Sequence, residues 1–475
     1  MSDYEPVIGL ETHVQLGTSS KMFCGCATDF AAPPNSQVCP VCLGYPGSLP
    51  VPNEVAVEYT VRAGLMLGCD INLYSKFDRK SYFYPDMPKN YQITQYDMPL
   101  CLAGAVEIDV NGDSRVVRLR RIHLEEDTGK NVHFARTSGV DFNRAGTPLM
   151  EIVTEPDLYS ADEVMAYLQA LKQLMLYAGV SECNLEEGNF RCDVNCSIRP
   201  VGSDALGVKT ELKNLNTFKG IHAALSFEID RQLNLAASGA EIHQETRRWD
   251  VDAGITATMR TKEDAHDYRY FPDPDLAPIV LAQEQVDRWR EELPEAPRAR
   301  RVRMIEQYGI PAYDAGVLVA EKAVADFYEQ AARSSPNPKA VSNWVMTEML
   351  RLLSERDMQI AEAHVTPAAL AELVGLVDDR TLNSNSAREV FGVLFHDGGR
   401  PTDIVEARGL TQVSDEGLLE QFVDQAIATN PDSASDYRDG KTKALQFLMG
   451  QVMRLSKGKA NPQSVQELLR SKLGR

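Results

Sequence analysis

Between Val7 and Leu16 the chain alternates: Ile8, Leu10, Val14 and Leu16 are apolar, with Thr12 the polar member of that set, while Glu11, His13 and Gln15 occupy the other parity. Successive side chains of a strand point to opposite faces, so the pattern predicts a strand with one buried face and one face carrying a carboxylate and an imidazole two residues apart. An edge strand with ordinary polar residues outward would read the same way, but four later segments repeat the arrangement. In residues 116–127, Val117 and Leu119 lead into Arg121, His123, Glu125 and Asp127, all of one parity. Leu149 to Glu155 sets Glu151 among apolar neighbours, where a carboxylate is costly to bury unless paired or bound to metal. Phe190 to Pro200 points Phe190, Cys192, Val194, Cys196 and Ile198 inward and Arg191, Asp193, Asn195, Ser197 and Arg199 outward, and Val208 to Leu215 gathers Lys209, Glu211 and Lys213 on one side.

Helical periodicity separates these strands. A short pattern runs from Glu54 to Gly68; a longer helix opens with a capping box at Ser160 to Glu163, carries Val164, Tyr167, Leu168, Leu171, Leu174 and Met175 on one face, and stops at Gly179. Another spans roughly Lys219 to Ala237. The class expected is α+β: a mostly antiparallel sheet shaped as a basin with backing helices, followed by an all-α domain and a small all-α tail. The character changes around Leu293 to Pro297, after which helices are expected at 298–308, 311–334, 338–356, 367–377 and 384–396. A second boundary near Gly399-Arg400-Pro401 leads to short helices near 414–428, 440–456 and 462–473. These boundaries give domains 1–293, 294–400 and 401–475.

At 475 residues the chain exceeds what one core usually supports, which agrees with that division. No apolar run approaches the length of a membrane span, and the acidic start Met1 to Pro6 lacks a signal peptide's apolar core, so a cytoplasmic protein is expected. The net charge of −19 argues against a nucleic-acid partner for the body of the chain, yet Lys441 to Arg475 holds eight Lys or Arg against the single acid Glu467. Such a run is either a solvated face or a basic module on an acidic body.

Cys24, Cys26, Cys39 and Cys42 form two close pairs across twelve residues, the spacing of a tetrahedral zinc site, with Gly44 just beyond to allow the tight knuckle. Four protein ligands leave no open position, so the site is expected to be structural, pinning a proline-rich loop. Residues 76–99 interleave Lys76, Arg79, Lys80 and Lys89 with Tyr82, Phe83, Tyr84 and Tyr91, a mixture that can hold phosphates while stacking on a base; a structural loop of packed tyrosines reads equally well. Arg79, Lys80 and Lys89 are the candidate ATP contacts. A similar loop runs from His266 to Pro278. Gly440-Lys441-Thr442 is no P-loop, because the required first glycine is Ser435, and neither a GxGxxG fingerprint nor a Ser-His-Asp arrangement stands out. A basin lined by Glu11, His13, Glu125, Glu151, Asp193, Glu211, Lys209 and Lys213 calls for hard cations or a phosphate-bearing ligand, which is the apparatus of phosphoryl transfer.

Several long stretches, in order, resemble the B subunit of the tRNA-dependent amidotransferase: Gly9-Leu-Glu-Thr-His-Val-Gln-Leu16, the four-cysteine cluster, Tyr82-Phe-Tyr-Pro-Asp-Met-Pro-Lys89, His123-Leu-Glu-Glu-Asp-Thr-Gly129, Asn143 to Ile152, Glu187 to Asp193, Glu211 to Asn216 and Asp267 to Leu276. The resemblance covers essentially the whole chain; its departures, Leu185 and Cys196, are apolar replacements. It implies a cradle domain, a helical domain and a YqeY-like tail that grips tRNA. It also implies ATP-dependent phosphorylation and amidation of Glu on tRNA(Gln) or Asp on tRNA(Asn), with ammonia from a glutaminase partner, the A subunit, and a small C subunit that braces the complex. By the same resemblance Glu11, His13, Glu125 and Glu151 are magnesium ligands, Asp193 and Glu211 further catalytic carboxylates, and Lys209 a phosphate contact. No Ser-Ser-Lys amidase signature is present, so the chain is not expected to make its own ammonia. A zinc-bearing tRNA adapter without chemistry and a free-standing ATP-dependent ligase are the other readings.

Overall fold

The computed structural model describes residues 3–261, 268–410, 416–456 and 460–474. His266 and Asp267 of the second aromatic loop, the start of the helix expected at 414, and Lys457, Lys459 and Arg475 of the basic run lie outside the described residues. The chain divides into two compact units, 1–296 and 297–475.

The first unit is built on a sheet whose centre is the five expected strands: β1 (Tyr4–Gln15), β2 (Asp113–Glu126), β3 (Pro148–Thr154), β4 (Phe190–Pro200) and β5 (Thr210–Lys213). They lie in the order β5-β4-β1-β3-β2, every neighbouring pair antiparallel. Outside β5, Glu245–Asp250 adds in parallel, so the sheet is mostly rather than wholly antiparallel. β1 is central, pairing with β3 along one edge and β4 along the other. Pro6 is tolerated because β1 has a ladder on one side only at that point, its pairing with β3 beginning at Glu11.

One face of the sheet is the core. Ile8, Leu10, Val14, Ile122, Leu124, Met150, Ile152, Cys192, Val194 and Cys196 are all buried there. Thr12, the polar member of that set, is fully buried too, its hydroxyl directed at the Cys192 thiol at 3.9 Å. The helices α1 (Glu54–Met66), α2 (Ala161–Ala178), α3 (Phe218–Ala237) and α4 (Gln283–Glu291) also contribute side chains to this core. Each of the first three starts on a side-chain cap: Asn53 accepts from Val55 N and Ala56 N, Ser160 from Glu163 N, and Thr217 from Gly220 N. The Glu163 carboxylate reaches back to Tyr159 N at 2.7 Å, one residue before the box the sequence predicts. Gly179 ends α2 at φ 69°, as expected of a left-handed cap.

The second unit is helical, with two apolar cores. The first includes Tyr328, Val341, Phe391 and Phe395, and also Val405, so the helix Pro401–Arg408 packs with the helices before it. The second gathers Leu419, Val423, Leu448, Val465 and Leu469. The helix expected over 311–334 is two, Ala312–Leu318 and Lys322–Arg333. On one straight helix Leu318, Val319, Val324 and Phe327 would spread around the axis; the break lets all four be buried. Pro338 to Arg356 runs on as expected but passes through a π-helical turn at Val345–Met349. Among the described residues no helix is long and apolar enough to cross a membrane.

Candidate active site

The register that buries the apolar set lifts the polar set onto the opposite face. His123 lies opposite Glu151, Glu151 opposite His13, and His13 opposite Arg191, one straight row across β2, β3, β1 and β4. The next row sets Glu11 opposite Asp193. One donor atom each from His13, Glu125 and Glu151 comes within 4.8 Å of the others, a group that can hold a metal ion. His13 Nε2 is 3.4 Å from Glu151 and 3.7 Å from Glu125; His123 Nε2 is 3.4 Å from Glu151 and 3.6 Å from Glu125.

Burial disfavours charge on both imidazoles, but the carboxylates outweigh it: Glu151 and Glu125 hold His13 above its usual range and push His123 up to about 9. Burial acts against the charged Glu151 too, and His123 and His13 together pull it well below the carboxylate range. Glu11 stands outside this compact group. Burial and the nearby Glu151 charge push its value up, and its Oε1 accepts from Asn195 Nδ2 at 3.0 Å.

The other expected residues divide into two sets. Asp193 and Glu211 are bridged by Lys213, whose Nζ lies 2.6 Å from Asp193 Oδ2 and 3.1 Å from Glu211 Oε1. Lys209 is exposed and donates to Asn195 Oδ1 at 3.2 Å. Arg79 lies over the Tyr91 ring and pairs with Asp273 at 2.8 Å and Asp275 at 2.9 Å. Lys89 is buried in an ion pair with Glu126. Lys80 lies over the Tyr268 ring at 4.8 Å, and the Glu125 and Glu151 charges, outweighing its burial, raise its value. Of the residues not assigned from sequence, His123 belongs to the row itself; its parity with Glu125 was the signal that could have found it.

The two aromatic loops meet beside this row. Phe271–Pro272 pairs with Asp78–Ser81, which pairs with Tyr91–Thr94, and Tyr96 stacks on Tyr270 with centroids 4.1 Å apart. Thr94 Oγ1 donates to Glu125 Oε2 at 3.2 Å, fixing the carboxylate from that wall. At the other end Asp127 is buried between Gln15, 2.6 Å away, and Arg191, 2.9 Å away. Burial alone would raise its value; Arg191 and Arg144 bring it below the usual range. Beyond Gln15 a cleft of ≈ 980 Å³ opens, with Asn143, Arg144, Asn189 and Asn216 on its walls, in the range that admits a nucleotide-sized group.

Cys24, Cys26, Cys39 and Cys42 bring their sulfurs within 4.8 Å of one another. Four thiolates about 2.3 Å from one zinc stand roughly 3.8 Å apart, close to the 3.9 Å between Cys39 and Cys42, so the donor set fits zinc. The loop the cluster pins returns to its start, Val51 N donating to Phe23 O at 3.1 Å. Gly44 has φ 68°, and a Cβ there would lie 2.5 Å from Lys89 Cγ. Gly44→Ala is therefore expected to destabilise the protein by about 1–3 kcal/mol, read as a lower denaturant midpoint at unchanged slope.

Comparison with known proteins gives the chain's family. The GatB/GatE catalytic domain matches residues 6–287 and the GatB domain residues 326–473. The aspartyl/glutamyl-tRNA(Asn/Gln) amidotransferase B subunit of Caldanaerobacter subterraneus subsp. tengcongensis is 53% identical over 473 residues, 99% of this chain and 100% of the relative. Those of Caldicellulosiruptor saccharolyticus and Geotalea daltonii are 50% and 51% identical, each over 476 residues covering 99% of both chains. The chain belongs to the GatB/GatE family of tRNA-dependent amidotransferase subunits and carries that family's catalytic domain.

Proposed function

We propose that the trough formed by β1, β2, β3 and β4 transfers the γ-phosphoryl group of ATP to the side-chain carboxylate of Glu on tRNA(Gln) or Asp on tRNA(Asn), and that ammonia then displaces phosphate to give the amide. The observation that carries this reading is the convergence of His13, Glu125 and Glu151 from three separate strands onto one point. A carboxylate is a poor electrophile until one oxygen becomes a leaving group, and moving a phosphoryl group needs charge neutralisation rather than a protein nucleophile.

Glu125, Glu151 and His13 would hold magnesium, with Glu11 beside them. Bound there, the ion would neutralise charge on the phosphates and polarise them. Lys80 is the best-placed phosphate contact of the four basic residues in its loop, because Lys76, Arg79 and Lys89 are each committed to carboxylates. Asp193 and Glu211, with Lys213 between them, and Lys209 at the rim complete the catalytic surface. The paired loops at 78–94 and 271–272 exclude water from an acyl phosphate that would otherwise hydrolyse.

The relatives are named as the B subunit, which supports an assembly in which an amidase partner, the A subunit, supplies ammonia and a small C subunit holds the pair together. In the tail, the basic helices would meet tRNA. Among the described residues of the basic run, Lys441 pairs with Asp436 and Lys472 with Asp424, and Lys443, Arg454 and Arg470 would meet phosphates.

The test is to give the purified complex each mischarged tRNA with ATP, magnesium and glutamine and to identify the amino acid on the recovered tRNA. Glutamine or asparagine on the tRNA is expected, and none without ATP. Unaltered glutamate and aspartate on both tRNAs would overturn the reading, and amidation of the free acids without tRNA would replace it with a small-molecule ligase.

A further inference from the structure

The zinc site described above carries an excess of negative charge. A zinc ion held by four thiolates has a net charge of about two minus, and buried charge persists only where a partner offsets it. That partner is built in. Lys21 is only 1% exposed, yet its ammonium lies 3.7 Å from Cys42 Sγ and donates to the Phe142 carbonyl oxygen at 3.1 Å. Lys21 shares a small, partly open pocket of ≈ 60 Å³ with Cys24, Cys42, Lys89 and Glu126.

These groups converge at Gly146. A Cβ built there, at φ 87°, would lie 3.5 Å from both Cys42 Cβ and Lys21 Cδ and 3.8 Å from Glu126 Oε2. Two strands end at this junction. Glu126 is the last residue of β2 and the neighbour of Glu125; it accepts from Ile93 N at 3.0 Å and pairs with Lys89. Phe142 to Thr147 is the turn that leads into β3 and Glu151, and Met22 N donates to Gly146 O at 2.7 Å. The thiolate cluster and Lys21 thus stand behind the ends of the two strands whose carboxylates meet His13.

We propose that Lys21 is the built-in counter-cation of a zinc tetrathiolate, and the positioning residue through which that centre sets the relative placement of Glu125 and Glu151; this rests on the reading of the four cysteines as a zinc site. The hydrogen bonds of the Lys21 ammonium go to Cys42 and Phe142 and not to His13, Glu125 or Glu151. It acts by holding the Phe142 carbonyl and the Cys42 sulfur on one ammonium, so that the loop and the turn into β3 move together.

The test uses Lys21→Met, Lys21→Gln and Lys21→Arg in the full-length chain within its purified complex. Zinc content of the parent is measured first, then the rate of zinc release to a chromophoric chelator, then the magnesium concentration giving half-maximal amidation. Partners of metal ligands commonly contribute roughly ten- to a hundredfold to metal retention. Zinc release is therefore expected to quicken by about tenfold or more in Lys21→Met and Lys21→Gln and to return toward the parental rate in Lys21→Arg. The magnesium requirement is expected to rise severalfold more than kcat falls. Lys21→Gln keeps a donor for the Phe142 carbonyl and serves where Lys21→Met does not fold. A parent without zinc overturns the zinc reading and this inference with it. A zinc-loaded parent whose variants release zinc at the parental rate overturns the counter-cation alone, and rapid zinc loss at an unchanged magnesium requirement overturns the positioning role.

Discussion

Glu151→Gln is expected to lower ATP-dependent amidation by at least about a thousandfold while leaving tRNA affinity within about twofold. Among the described residues Glu151 is the one carboxylate within 3.4 Å of both imidazoles, and it occupies the middle of the row from His123 to His13. Glutamine keeps its volume, so β3 loses little packing, but the trough loses a full negative charge where the proposed cation would be held against the phosphates. A thousandfold is about 4 kcal/mol of transition-state stabilisation, within what a correctly held ion supplies to phosphoryl transfer. The measurement is phosphate release and amide formation on mischarged tRNA, with tRNA affinity determined in parallel. Intact tRNA affinity separates loss of chemistry from loss of fold. If the chain were an adapter and its carboxylates structural ion pairs, the substitution would leave amidation as it was.

Cys39→Ser is expected to abolish stoichiometric zinc and to lower the thermal midpoint by roughly 5–10 °C. The cluster closes a loop that begins and ends side by side at Phe23 and Val51, so its ligands act as a covalent clip would, worth about 2–5 kcal/mol for a loop of this size. Spread over a unit of this size, such a change moves the midpoint by degrees rather than tens of degrees. The effect should extend beyond the loop, because Cys42, Lys21 and Glu126 line one pocket at the ends of β2 and β3. Full zinc-free activity at an unchanged midpoint would show that the cysteines are not a staple.

The sheet and its chemical face were legible because a strand has period two. Glu11 and His13 on β1, Glu125 on β2 and Glu151 on β3 each reveal a face by parity alone, and the apolar partners of each strand say which face is buried. Parity does not give lateral order. That β3 lies between β1 and β2, and so that Glu151 falls between His13 and His123, depends on pairing across long sequence separations. His123 was visible as a member of the right parity but not as a neighbour of Glu151 for the same reason.

Lys209, one residue before β5, and Lys213, its last residue, share a parity in the sequence, and only the structure shows the second lying between two carboxylates while the first stays at the rim. The helix Gln283–Glu291 was invisible because only Val286 and Trp289 are buried, too few for a period to register. Pro431–Arg438, which buries only Ala434 and Tyr437, was missed on the same ground. The break between Leu318 and Lys322 has no proline or glycine to announce it; it follows from the core that both halves share.

His13, Glu125 and Glu151 are proposed to hold one hard cation together against the terminal phosphate of ATP. Anomalous diffraction at the manganese edge, from crystals of the complex grown with Mn²⁺ and a non-hydrolysable ATP analogue, tests it most directly. One peak within coordination distance of His13 Nε2, Glu125 and Glu151, touching a γ-phosphate oxygen and absent in Glu151→Gln, is the result expected. A nucleotide bound with its manganese elsewhere, and no peak among these three side chains, would contradict it.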